Sequence, residues 1–300
     1  MRIPRGRRDP PGSHNGPVGE PVPLRRNVTQ VRVLAVRDGA AHELADRLAT
    51  EEPMEIRAQG PGQDAVSVAV TMRTPGADFE LAAGFLFTEG LIRARDDVRK
   101  VSYCEDLDRD EQHYNVVTVN LARPFDPDTL TRNFYANSSC GICGKASLEH
   151  VEVQCASIGG GLEVAGDVIE GLPGELRRAQ KVFEQTGGLH AAGLFTSTGK
   201  LLSLREDVGR HNAVDKVVGE AFLAGDLPLS ERLLLVSGRA SFEIVQKAGV
   251  AGIPVVAAVS APSSLAVDLA ERIGQTVVGF VRDGRFNVYS HPERLALTDA

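Results

Sequence analysis

The stretch SSCGICGK, residues 138–145, sets two of the chain's four cysteines, Cys140 and Cys143, two residues apart and flanked by glycines. Thiols at this spacing can share a metal ion, close a disulfide, or carry a reactive sulfur. A structural zinc site needs about four ligands. With His150 and Cys155 the pair completes C-x2-C-x6-H-x4-C, a zinc knuckle with a stretched middle. A zinc deaminase would instead combine H-x-E with a later P-C-x-x-C. In GGLHAAG, Ala192 stands where the acid belongs and the cysteines precede the histidine, so that chemistry lacks its proton carrier. A thioredoxin-like redox pair opens a helix directly after a strand, whereas this pair follows the loop-like NFYANSS. Flanking glycines make an accessible loop, and the neighbouring Lys145 favours a thiolate. An accessible thiolate on a flexible arm suits a sulfur carrier, which must reach a donor and then an acceptor. Spacing alone does not separate the carrier from the redox pair.

A second chemistry, anion binding, is written at three helix starts. LLLVSGRASFE ends a strand at Ser237-Gly238 and starts a helix near Arg239 to Ser241, and VVAAVSAPSSLA ends at Ser260 and starts one near Pro262. REDVGRHNAVDK adds Arg210 and His211 at a third start, with Asp207 as the expected cap. If the strands are parallel, the first two starts point to one sheet edge, where free N–H groups and the helix dipole attract anions. Arg282 and Arg285 flank the DG turn of FVRDGRFNVY and can close over a phosphate or a guanine. The net charge is −7, so the surface as a whole repels nucleic acid and anionic membrane, and a phosphorylated ligand must be held by such local clusters.

The elements that must position these groups follow from hydrophobic periodicity. Residues 1–27 are rich in Pro, Gly and Arg without periodicity and are expected to be a disordered tail. Residues 28–126 read as a β-rich region. In it, MEIRAQG and AVSVAVTM alternate as a hairpin, Asp78 starts a largely buried helix, and VRKVSYC and YNVVTVNL supply two further strands. Residues 127–147 form a linker that carries the cysteines. Residues 148–300 alternate apolar strands with amphipathic helices, the pattern of an α/β layer with parallel strands covered on both faces. There, Leu172, Leu176, Ala179 and Phe183 share one helical spacing, HAAGLF and LLSLRED form a hairpin, and Val214, Val217, Val218, Ala221 and Phe222 form a second helical stripe. No run approaches the ~20 apolar residues of a membrane span, and neither Arg7-Arg8 nor Arg25-Arg26 is followed by an apolar export segment. The expectation is a cytoplasmic chain with free thiols.

Taken in order, SSCGICGK, GGLHAAGLF, REDVGRHNAVDKVVG, VSGRASFEIVQK, VSAPSSLAV and VGFVRDGRFNVYS resemble the FdhD family of formate dehydrogenase accessory proteins, from about Glu51 to the last strand. The resemblance implies a sulfurtransferase acting as a persulfide carrier. Cys140 would accept sulfur from a cysteine desulfurase, with Cys143 beside it. The sulfur would pass to molybdenum in Mo-bis(molybdopterin guanine dinucleotide), bound as cargo, before formate dehydrogenase can work. The family's cofactor segment corresponds to Phe280, Val281, Arg282, Asp283, Gly284 and Arg285, to which the anion reading adds Arg239 and His211. The resemblance also implies a homodimer, and a C-terminal three-layer α/β domain like cytidine deaminase without its zinc. A thiol–disulfide oxidoreductase and a zinc-knuckle binding protein are the alternatives.

Overall fold

The computed structural model describes residues 26–104, 115–126, 155 and 157–297. Cys140, Cys143 and His150 lie outside the described residues, as do most of the tail and the whole of the 127–147 linker.

β1 (Val28–Arg37) and β2 (Ala40–Ala49) make an antiparallel ribbon of their own. Its turn, Asp38-Gly39, has positive φ at both residues (53° and 79°), as a two-residue turn of matching twist requires. β3 (Glu52–Gln59) and β4 (Val66–Arg73) form the hairpin read from the sequence, and β5 (Val98–Tyr103) and β6 (Val116–Leu121) complete a four-stranded sheet ordered β4-β3-β6-β5. Alternation turns Met54, Ile56 and Ala58 to one face, where they meet α1 (Asp78–Thr88).

The later region is a six-stranded sheet. A two-residue strand β7 (Val164–Ala165) leads into α2 (Gly166–Ala179) and the short α3 (Lys181–Thr186). The hairpin β8 (His190–Thr196) and β9 (Leu201–Asp207) is followed by α4 (Arg210–Ala224). Then β10 (Arg232–Val236), α5 (Phe242–Val250), β11 (Val255–Ala258), α6 (Ser264–Ile273) and β12 (Thr276–Arg282) alternate, and β13 (Arg285–Ser290) turns back before the short β14 (Leu295–Ala296). The order is β13-β12-β11-β10-β8-β9. β10, β11 and β12 are parallel, while β8 and β13 pair antiparallel on either side of them. The helical spacing through Phe183 does not run unbroken: the chain bends at Gln180, and the Glu206 carboxylate accepts Val182 N–H and Phe183 N–H to start α3 afresh.

One face of this sheet, with Leu234, Val236, Val256 and Val277, packs into the core shared with α4, α5 and α6. The other, with Leu233, Leu235, Val255 and Val281, packs with Ile169, Leu172 and Leu176 of α2. The sheet is thus the middle of three layers. The first sheet joins them through α1, which crosses α4 so closely that a Cβ on Gly84 would collide with Asp215 O, and one on Gly219 with Glu80 O. Glycine at both crossing points lets the backbones touch. Among the described residues no helix is long and apolar enough to cross a membrane.

Candidate functional site

The parallel strands run out toward one edge, and their exit loops stay hydrogen-bonded to each other beyond the sheet. Ser260 N–H donates to Gly238 O (3.3 Å), Ser263 N–H to Ala240 O (3.0 Å), and Phe280 N–H to Ser260 O (3.1 Å). Ala240 and Pro262 pair as an isolated bridge, so Pro262 belongs to this extension and α6 begins two residues later, capped by Ser263 Oγ accepting Ala266 N–H. The helix start expected at Pro262 therefore shifts, because the loop is held as a strand. α5 begins at Phe242 with Ser241 as its N-cap, just past the Arg239–Ser241 stretch where its start was expected. The loops form one continuous floor from Ser241 to Phe280.

At one end of that floor His211, in the first turn of α4, meets the first turn of α5. Its Nε2 lies 2.7 Å from Glu243 Oε2 and 3.3 Å from Ser241 Oγ. The hydrogen bond from His211 holds the Glu243 carboxyl below the usual carboxylate range against the opposing effect of burial, helped by the His211, Arg210 and Lys247 charges. His190, at the start of β8, sits against Gly238. Burial pushes its imidazole below the usual histidine range, and the neighbouring Arg210 and His211 add to the shift. Arg239 is exposed on the loop between β10 and α5.

At the other end is the segment Phe280–Arg285. Phe280 adopts φ 54° inside a bulge of β12, a left-handed backbone that costs a non-glycine residue about 1–2 kcal/mol. Such strain persists only where surrounding structure enforces it, here the hydrogen bond to Ser260 O. Asp283-Gly284 turn with φ 55° and 66°, which sets Arg282 opposite Arg285. Arg282, Asp283, Gly284 and Arg285 are exposed, and the Arg282 guanidinium stands 5.5 Å over the Phe280 ring. Val281 differs from the others. Its side chain is fully buried in the layer under α2 and offers a ligand no side-chain contact.

REDVGRHNAVDK divides its work in a way the sequence reading did not separate. Asp207 does not cap α4; Gly209 holds that position. The Asp207 carboxylate is buried and accepts Gly209 N–H (2.8 Å), Thr74 N–H (3.1 Å) and Asn212 Nδ2–H (3.1 Å), and it pairs with Lys216 Nζ at 2.6 Å. Lys216 also donates to Thr74 O (2.9 Å), and Asn212 to Met72 O (2.8 Å). One turn on, Asp215 pairs with Lys247 of α5 at 2.9 Å, and Lys247 reaches Glu89 at 3.1 Å and Thr88 Oγ1 at 2.9 Å. Burial pulls the Lys247 ammonium down, but Asp215 and Glu89 more than offset it and leave it above the ordinary lysine value. Asn212, Asp215, Lys216, Lys247 and Glu243 are the ones the sequence reading missed, while Asp207 was read only as a cap and His190 only as a deaminase ligand. The available signal was the pair Asp215-Lys216 lodged among the valines of an apolar stripe.

Cys155 is the one knuckle candidate among the described residues. It is buried between Gln246 and Gly249, and burial pushes its thiol up to about 11. That is a protonated core thiol, a poor metal ligand.

The comparisons with known proteins agree with one another. The FdhD/NarQ family pattern matches residues 49–296. The chain is similar to the Sulfur carrier protein FdhD of Streptomyces avermitilis, at 52% identity over 275 residues, 90% of this chain and 96% of that protein. It is also similar to the proteins of that name in Mycobacterium tuberculosis (54% over 259 residues, 83% and 92%) and Sulfolobus acidocaldarius (44% over 270 residues, 90% and 99%). Its mixed α/β fold matches a crystal structure from Desulfotalea psychrophila, described as that of a formate dehydrogenase accessory protein. That match has a TM-score of 0.69 at 26% identity and covers 90% of this chain and all of the other. With its motifs in order and its whole α/β region matched, this chain belongs to the FdhD/NarQ family.

Proposed function

We propose that this chain is a sulfur carrier serving formate dehydrogenase: Cys140 takes up a persulfide from a cysteine desulfurase, and the sulfur goes to molybdenum in Mo-bis(molybdopterin guanine dinucleotide), held as cargo at the sheet edge. The observation that carries the reading is near-end-to-end similarity to proteins named as sulfur carriers, from bacteria and from Sulfolobus. The sheet edge supports it with a strained Phe280, two exposed arginines on one turn and a His211–Glu243 pair on one floor. The proposed carrier acts as a homodimer in the cytoplasm, with residues 127–147 as the linker that bears the thiols.

The chemistry balances in two steps. In loading, the Cys140 thiolate attacks the terminal sulfur of the donor persulfide. The donor S–S bond breaks, the donor cysteine leaves as a thiolate, and Cys140 holds the persulfide. In release, the Cys143 thiolate attacks Cys140 Sγ and closes the Cys140–Cys143 disulfide. The terminal sulfur leaves as hydrosulfide, two thiol electrons having reduced it, and is captured by a soft metal.

The test is intact mass after incubation with a cysteine desulfurase and cysteine. The wild-type chain gains the mass of sulfur, reversibly by dithiothreitol, and Cys140→Ala does not. A wild-type chain that gains nothing, or a Cys140→Ala variant that loads as well, sinks the proposal.

A further inference from the structure

Among the described residues Arg73, Lys216, Lys247 and Arg294 are buried cations, and three of them have a carboxylate. Arg73 pairs with Asp78 at 2.9 Å, Lys216 with Asp207 at 2.6 Å and Lys247 with Asp215 at 2.9 Å. Arg294, 5% exposed, forms no ion pair with a described residue. Its Nη1 donates to Thr276 Oγ1 (3.2 Å) and its Nη2 to Ile158 O (3.1 Å) and Gly159 O (3.0 Å), while Nε has no partner. Neutral oxygens satisfy donors but do not cancel a charge, and a buried charge without its counter-charge is costly to the fold.

The guanidinium borders a cavity of about 390 Å³ that Gly160, Gly161, Gly274, His291 and Glu293 also line. The glycine loop presents bare backbone there: a Cβ at Gly160 or Gly161 would meet nothing within 4 Å. The N–H groups of Gly160, Gly161 and Leu162 donate to no described residue. The same loop borders a second cavity of about 820 Å³, with Ser157, Ser197, Ser230 and Arg232 on its wall. Arg232 begins β10 and Gly274 precedes β12, so both cavities lie where the parallel strands start, at the opposite edge from the exit-loop floor.

We propose that Arg294 and the Gly159–Gly161 loop form a second anion site, for a phosphate-sized oxyanion, either free or as the phosphoryl group of a small molecule. A guanidinium and successive backbone N–H groups are the two donor types that suit such an anion. The larger cavity is within the usual size of a small-molecule site and has room for the rest of a phosphorylated ligand. Two carboxylates also border the loop. Glu163 is exposed, and Glu293 is paired at 2.8 Å with His291, whose bonds to Glu271 O and Glu293 hold it above the usual histidine range and so favour a compensating charge. Neither the thiols nor the Phe280–Arg285 segment takes part, so this site stands apart from the cargo reading.

The experiment is calorimetric titration and thermal unfolding of the full chain with inorganic phosphate and with ribose 5-phosphate, each against chloride at equal ionic strength. The wild type should bind, and its melting temperature should rise to a plateau as the site fills. Arg294→Met and Gly160→Asp should each weaken binding roughly ten-fold or more, the value of a hydrogen bond to a charged group. Arg285→Ala, at the other edge, should leave it unchanged. If Arg294→Met does not fold, Gly160→Asp decides, because its new side chain starts in open space. Equal affinity for the two probes supports a site for the free oxyanion, and tighter binding of the sugar phosphate supports one for a phosphorylated small molecule. A wild type that responds no more than in chloride overturns the proposal. So does binding that survives both Arg294→Met and Gly160→Asp, or binding that only Arg285→Ala removes, which would belong to the exit-loop floor.

Discussion

Lys216 Nζ lies 2.6 Å from Asp207 Oδ2, with both side chains buried, and each also bonds the backbone of Thr74 in the four-stranded region. The pair therefore ties the end of β9 and the second turn of α4 to Thr74, the residue after β4, close to the turn that carries His211. Lys216→Met should leave Asp207 as a buried charge without its cation, a lesion that costs about 3–5 kcal/mol. Denaturant unfolding would measure it. A loss under about 1 kcal/mol would mean the pair behaves like a surface bridge.

Gly84 and Gly219 make a prediction of the opposite kind, an added group in place of a lost one. At either position a Cβ meets the backbone of the facing helix, which cannot move aside as a side chain can. Gly84→Ala or Gly219→Ala should destabilise the fold by at least about 2 kcal/mol, toward the upper end for overpacked cores. Unchanged melting temperatures would show that α1 and α4 sit farther apart.

The two arginines of the last hairpin should matter for binding and leave the fold alone. If the proposed cargo lies at this edge, Arg282→Ala or Arg285→Ala should remove a charge-assisted contact worth about 1.5–3 kcal/mol, so GDP should bind roughly ten-fold more weakly or worse. Both residues are exposed, so stability should move by no more than about 0.5 kcal/mol. Sulfur loading of Cys140 should survive in both variants. Normal GDP affinity in Arg285→Ala would shift the phosphate site toward Arg210 and Arg239.

Two histidines should titrate on opposite sides of 6.5, with opposite effects on stability. His291 donates to Glu271 O and pairs with the Glu293 carboxylate, which raises its pKa. Its contribution is whole below 6.5 and is lost as pH rises through the higher folded value. For His190, burial and the Arg210 and His211 charges lower the pKa. Its contribution is whole above 6.5 and is lost as pH falls from 6.5 to the lower folded value. NMR titration of the imidazole C–H signals resolves both. Midpoints in the reverse order would contradict the geometry.

Cys155 should be inert in the native protein. Its thiol is pushed up to about 11 by burial, so almost no thiolate exists at neutral pH. Peptide mapping after iodoacetamide should find it unmodified until denaturant is added. Rapid native alkylation would place it at the surface and reopen the metal reading.

Local patterns were enough to read most elements from the sequence. The period-two alternation of MEIRAQG and AVSVAVTM, the apolar runs of β10 to β12 and the Asp283-Gly284 turn each depend on neighbours a few residues away, and each is an element of the structure. The helix start at Ser241 was legible for the same reason. The sequence also names the thiols, Cys140 and Cys143, and the arginines around the last turn, because their chemistry lies in residue type and spacing. What it could not decide is which polar residues of a motif face a ligand and which face another part of the chain. Asp207, Asn212 and Lys216 sit in the same twelve residues as His211, yet they are spent on Thr74 and Met72, more than 130 positions away. Val281 lies in the same segment as Arg282, yet the pleat turns it into the core. Glu243 becomes a partner of His211 only because two helices start at the same sheet edge. Propensity and periodicity act along the chain, whereas burial and pairing are set by what the fold brings from elsewhere, and only the tertiary structure contains that.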